Sequence, residues 1–142
     1  MSGPATEESG LFDVLVVDSG AIIRGHGTNF HRIAKRLVTV SEVLNEIRDS
    51  KAREFLESLP FELEVLSPSE ASLRAVGEFA KRSGDFAALS LTDLRIIALS
   101  YTMEVEINGG AHIRTEPSVC SLIYFHYPIT LHLHRPFFPF LL

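Results

Sequence analysis

Residues 14–17 read VLVV, four aliphatic side chains with no polar interruption, and the run stops at Asp18, followed by Ser19 and Gly20. A strand with one face in water alternates apolar and polar residues. An unbroken aliphatic run instead fits a strand covered on both faces, as inside a parallel sheet. Asp18 then stands at the carboxyl end of that strand, on the rim where open α/β sheets collect their ligands. Taken by itself, Asp18 is more simply read as the cap of a helix beginning near Ser19.

Over residues 11–117 strand-like and helix-like segments alternate, so the expected class is α/β with a mainly parallel sheet flanked by helices. The first strand is expected over residues 12–18, and helices near 20–24 and 28–36 on either side of a GHGT turn. Thr39 and Glu42 have capping-box spacing, which predicts a helix from Val40 with Val43, Leu44 and Ile47 on its apolar face. A helix over 50–58 should end before Pro60. Phe61, Leu63 and Val65 alternate with Glu62 and Glu64, the pattern of a half-buried strand. Ser67-Pro68-Ser69-Glu70 predicts a helix start with proline in the first helical position, and the helix should stop at Gly84. Ser90 and Asp93 open the last helix. Leu91, Leu94, Ile97, Ala98 and Tyr101 follow helical spacing along it, with a β-like exit at 105–107 before the turn signal NGG.

A chain of 142 residues with 46% hydrophobic side chains suffices for one sizeable core. The net charge of −5 argues against an extended basic surface for nucleic acid and leaves room for acids that hold a hard cation. The single cysteine, Cys120, excludes an internal disulfide and a cysteine zinc site, and fits a reducing intracellular setting. Residues 1–10 are small, polar and acidic, unlike a signal peptide, and read as a disordered lead-in. Residues 118–142 differ again, apolar and aromatic, with Pro128, Pro136 and Pro139 interrupting any spanning helix. No membrane span is expected. The tail is expected to be irregular and foreign to the design of the domain.

Three acids are candidates for one site: Asp18 at the end of the first strand, Glu46 on the helix after Thr39, and Asp93 in the first turn of the last helix. Each has a bland reading, as a cap, a solvated side chain and a helix-dipole partner respectively. Gathered at one sheet edge, they would repel unless a cation intervened. Mg²⁺ or Mn²⁺ suits hard carboxylate oxygens and equips a site for phosphodiester hydrolysis. The opening strand also suggests phospho-receiver domains, but no paired acid precedes Asp18. It suggests haloacid-dehalogenase-type phosphatases as well, but Gly20 stands where a second aspartate is needed.

VVDSGAII, VSEVLNEIRD and FAKRSGDFAALSLTDLRIIALSYTMEVEI, in that order, resemble the PIN-domain endoribonucleases, and most closely the Nob family that trims the 3′ end of small-subunit ribosomal RNA. The resemblance implies a PIN-like (Rossmann-like) domain over residues 11–117, a divalent-metal site, and cleavage of single-stranded ribosomal precursor RNA leaving a 3′-hydroxyl. It also implies small-subunit assembly factors as partners, and work in the nucleus or nucleolus and the cytoplasm. The oligomeric state stays open. The family acids fall on Asp18, Glu46 and Asp93, as catalytic and metal-holding residues, while Asp85 in the SGDF turn reads as a loop cap. Two departures stand out. A further family acid is replaced, on this alignment, by Ala111 beside His112, and the cysteine-paired zinc ribbon and basic stretches of the family are missing. Weak RNA affinity is therefore expected, carried by Arg24, His26, Lys35, Arg36, Arg48 and Lys51. The alternative reading is a catalytically weak PIN scaffold that binds assembly partners.

Overall fold

The computed structural model describes residues 12–23, 30–48, 50–58, 62–117 and 131–133. The lead-in, the GHGT turn, Arg24, His26, Phe61, the Lys51 side chain and most of the tail lie outside the described residues. The aliphatic run is buried as its sequence demands, with Val14, Leu15, Val16 and Val17 each 1% exposed or less. It forms strand β1 (Phe12–Val16) and the turn beyond it. Strand β1 pairs in parallel with β2 (Ala34–Thr39), which pairs in parallel with β3 (Leu63–Val65).

Helices α1 (Ser19–Ile23) and α2 (Phe30–Ile33) connect β1 to β2, and α3 (Ser41–Glu46) and α4 (Ser50–Glu57) connect β2 to β3. The long helices α5 (Glu70–Ser83) and α6 (Leu91–Asn108) follow and pack on each other, with α6 also lying against β1. The core joins β1 and β2 to Ala21, Ile22, Phe30, Val43, Ile47, Ile96, Leu99 and Met103. Burying each large aliphatic side chain of this set is worth about 1.5–3 kcal/mol.

Several local expectations are corrected. Residues 34–39 are a strand rather than the end of a helix over 28–36, because pairing with both β1 and β3 satisfies their backbone. Thr39 closes that strand and caps nothing. Its hydroxyl donates to the Val17 carbonyl at 2.7 Å in the fully buried interior, and Val40, without a side-chain cap bond, precedes α3. The start of α5 lies two residues later than its sequence signal suggests, with Ser69 as N-cap accepting from the Ser72 amide. Helix α6 runs through residues 105–107 to Asn108, so the β-like exit is absent. Its core-facing residues are Ile96, Leu99 and Met103, while Leu91, from the expected stripe, is 69% exposed.

The tail is not wholly irregular. Residues Leu131–Leu133 form β4, antiparallel to β1, with Val14 opposite Leu133 and Val16 opposite Leu131. The sheet order is β3-β2-β1-β4. The chain steps outward from β1 through β2 to β3 and then returns to the other side of β1. Strand β1 is thus where the order reverses, and in open α/β sheets ligands gather beyond the carboxyl end of such a strand.

Candidate active site

Asp18 leaves β1 at that end. One of its carboxylate oxygens, Oδ1, accepts the Ala21 amide at 2.7 Å, so the cap suggested by sequence is real and opens α1. The strand end behind it is firmly set. Val17 donates its amide to the Val38 carbonyl at 2.9 Å, and the Val17 carbonyl takes the Thr39 hydroxyl. Leu66 extends the same ladder to the Thr39 carbonyl at 2.8 Å.

Ser19, the next residue, donates its hydroxyl to Glu46 Oε2 at 3.2 Å, which brings the last residue of α3 beside the first of α1. Glu46 therefore lies against the residue that follows Asp18 in the chain. Helix α3 ends there because Ile47 is buried and its carbonyl accepts the Arg53 guanidinium at 3.0 Å. One turn earlier on α3, Glu42 faces α6. Its Oε1 lies 2.8 Å from Arg95 Nε, and its Oε2 accepts the Ser41 hydroxyl at 3.2 Å. The Arg95 contact is ionic rather than an aligned hydrogen bond, since that buried nitrogen has no partner of good hydrogen-bond geometry.

The Glu42–Arg95 pair ties the first turns of α6 to α3, and Asp93 sits two residues before Arg95. Asp93 itself completes a capping box with Ser90. Its Oδ2 accepts the Ser90 amide at 3.0 Å and the Ser90 hydroxyl at 2.7 Å, while its own amide donates to Ser90 Oγ at 3.1 Å. Among the described residues no hydrogen bond joins Asp93 to Asp18 or Glu46, and no three His, Cys, Asp or Glu side chains group closely enough to hold an ion. The structure thus sets Glu46 against Ser19, the residue after Asp18, and sets Asp93 on a helix end tied to the same α3, turned toward its own cap.

The use of the oxygens is asymmetric in all three acids. Asp18 bonds through Oδ1, Glu46 through Oε2 and Asp93 through Oδ2; their second oxygens have no hydrogen-bond partner among the described residues. None of the three forms a salt bridge there, whereas Glu42 is matched by Arg95. Hard oxygen donors of this kind, uncompensated by a protein cation, fit Mg²⁺ or Mn²⁺ in chemistry.

Other sequence candidates lie elsewhere. Lys35 pairs with Asp13 at 2.8 Å and Arg36 forms a two-pronged pair with Glu64, both toward the start of β2 and away from Asp18. Arg48 is exposed just past α3. Asp85 is a loop residue, its carbonyl accepting the Ala88 and Leu89 amides. Ala111 and His112 follow the far end of α6, a helix of 18 residues and about 27 Å, and His112 Nε2 meets Glu104 Oε1 at 2.7 Å. They stand at the opposite pole of α6 from Asp93, so position 111 does not supply the place of a further acid at this edge. Ser19, Thr39 and Arg95 escape motif reading because each acts through a contact between distant segments.

A family profile for the PIN domain of ribonuclease matches residues 15–103. The chain belongs to the PIN-domain ribonuclease family. Within it, the chain is 43% identical over 119 residues to an RNA-binding NOB1-like protein of Arabidopsis thaliana, covering 82% of this chain and 19% of that one. It is 38% identical over 99 residues to the 20S-pre-rRNA D-site endonuclease NOB1 of Saccharomyces cerevisiae, covering 68% and 21%. To the Endoribonuclease Nob1 of Pyrococcus abyssi it is 34% identical over 95 residues, covering 66% and 55%. The chain therefore spans about a fifth of the two longer relatives, and what it shares with them is the PIN domain.

Proposed function

We propose that this PIN domain is the nuclease unit of a metal-dependent endoribonuclease that hydrolyses a phosphodiester bond in single-stranded ribosomal precursor RNA during small-subunit maturation. The observation that carries the reading is the edge just described. Asp18 and Glu46 flank Ser19 at the carboxyl end of the strand where the sheet order reverses, each with one carboxylate oxygen unengaged among the described residues. Relatives named as pre-rRNA and Nob1 endonucleases support the substrate class. Asp18, Glu46 and Asp93 are the residues assigned to hold Mg²⁺ or Mn²⁺. A divalent cation there supplies charge stabilisation for the phosphoryl oxygens and makes water more acidic.

The chain's own groups do the arranging. Ser19 orients Glu46, the Thr39 hydroxyl fixes the strand end that presents Asp18, and the Ser90 capping box together with the Arg95–Glu42 pair sets the turn carrying Asp93. No helix among the described residues is long and apolar enough to cross a membrane. Small-subunit assembly factors as partners, and work in the nucleus or nucleolus and the cytoplasm, belong to the same proposal.

The test is Asp18→Asn. The amide keeps an oxygen for the Ala21 amide, so the fold should melt as before, while Mn²⁺-dependent cleavage of a single-stranded RNA spanning a ribosomal 3′ cleavage site should be lost. Retained turnover in the variant would remove the assignment. Partner binding without turnover in the unsubstituted chain would favour a scaffold instead.

A further inference from the structure

The loop between α5 and α6 carries an exposed aromatic ring on a well-fixed backbone. Gly84, at φ +87°, ends α5 in the left-handed conformation. The Phe86 amide then donates to the Ala80 carbonyl at 3.1 Å, and the Ala88 and Leu89 amides close a turn on the Asp85 carbonyl at 2.9 and 3.2 Å. On this frame the Phe86 side chain is 45% exposed, with the Lys81 ammonium 5.2 Å from its ring centre. Lys81 forms no salt bridge among the described residues. Of the acids around it, Glu116 pairs with Arg82 and Asp85 accepts the Ser83 hydroxyl at 2.8 Å, while Glu78 lies one turn before Lys81 on α5 and forms no ion pair with it. An exposed aromatic ring and a cation with no ion pair among the described residues thus share one spot, four residues before the Ser90 cap that carries Asp93.

We propose that Phe86 and Lys81 form a stacking platform for one nucleobase of single-stranded RNA, with Lys81 meeting the adjoining phosphate. The proposal rests on the nuclease reading and deepens it by naming where the substrate strand is gripped. Single-stranded nucleic acid satisfies both chemistries at once, since every base offers a π-face and every nucleotide an anion. Four residues reach at most about 14 Å, so the platform lies within that backbone span of Ser90, whose amide and hydroxyl bond to Asp93. Stacking is indifferent to base identity. It would therefore add affinity without dictating the cleavage site.

The test uses the full chain carrying Asp18→Asn, so that RNA survives the measurement, and follows fluorescence anisotropy of a short labelled single-stranded RNA. Phe86→Ala should weaken binding on the order of tenfold, and Phe86→Trp should restore it. Lys81→Ala should weaken binding and lower the salt dependence by about one phosphate contact. An RNA with abasic sites should bind the parent and Phe86→Ala alike. Equal affinity of parent and Phe86→Ala for intact RNA overturns the platform, as does a Phe86 effect that persists on abasic RNA. Absence of RNA binding by the parent overturns it too. Cleavage by the chain without Asp18→Asn is read separately. Phe86-dependent binding without cleavage sinks only the nuclease reading, and cleavage with unchanged KM in Phe86→Ala sinks only the platform.

Discussion

Thr39 shows how a single buried hydroxyl governs a site it does not enter. It is fully buried, and its Oγ1 donates to the Val17 carbonyl, the last backbone group before Asp18. Thr39→Val keeps the shape and removes the donor, leaving that carbonyl unsatisfied, a loss of about 1–3 kcal/mol. Urea unfolding should show this as a lower midpoint, and the variant should also cleave RNA more slowly if the proposed chemistry holds, because the strand end presenting Asp18 is looser. An unchanged midpoint would mean that the Val17 carbonyl finds another donor. Asp18 itself was legible in the sequence, since an acid that stops an aliphatic run has few places to go. The double use of its carboxylate, one oxygen for the α1 amide and one unengaged among the described residues, was not. Motif spacing treats cap and ligand as rivals, whereas a carboxylate has two oxygens and the structure gives them different work.

At the scale of elements, the expectation of a helix through residues 34–36, where the structure has the start of β2, fails for a clear physical reason. Ala34, Lys35, Arg36 and Leu37 are good helix formers, and local propensity alone continues the preceding helix through them. What overrides it is pairing on both sides, with β1 and β3, which no local window contains. Thr39 and Glu42 then mimic a capping box by spacing alone. At the other end of the chain, the alternation of Val105, Glu106 and Ile107 imitates a strand, yet these exposed residues simply finish the last turns of α6. Ser90 and Asp93 form the capping box that their spacing predicts, because both members of that motif sit in one short segment.

The Arg36–Glu64 pair between β2 and β3 yields a prediction about acid. The hydrogen bond from Arg36 holds the Glu64 carboxyl below its ordinary value of 4.5, and the bond to Glu64 raises the Arg36 guanidinium further above its already high ordinary value. A carboxyl depressed in the folded state contributes stability above its unfolded value and loses it as pH falls through the folded one. Arg36, being raised, stays charged throughout the usual range. With Arg36 half-exposed and Glu64 a third exposed, the pair is worth only about 0.5 kcal/mol after solvent screening. Glu64→Gln should therefore remove a small stabilisation at neutral pH and reduce the stability lost below pH 4.5, as read by denaturant midpoints over a pH series. A parallel pH profile in the variant would show that the pair adds nothing.

For the molecule as a whole, the return of residues 131–133 to the sheet matters more than their number suggests. They pair along β1, whose Val14, Leu15 and Val16 are buried, on the side that β2 does not cover. Removing residues 118–142 should leave that side of β1 unpaired. Light scattering and size-exclusion chromatography are then expected to show self-association, together with a lower melting temperature. A shortened chain that stays monomeric and melts at the same temperature would deny β4 this role. Composition marks the segment as atypical of the domain, and hydropathy does not reveal that residues 131–133 find a backbone partner on β1.

The outermost strands among the described residues, β3 and β4, are three residues each. Strands so brief offer little template for recruiting another copy's backbone, and β3 adds a charged Glu64 in its middle. A protein with nearly half its side chains apolar is thereby given a sheet whose margins resist fibril growth, with its longest aliphatic strand enclosed between neighbours of its own chain.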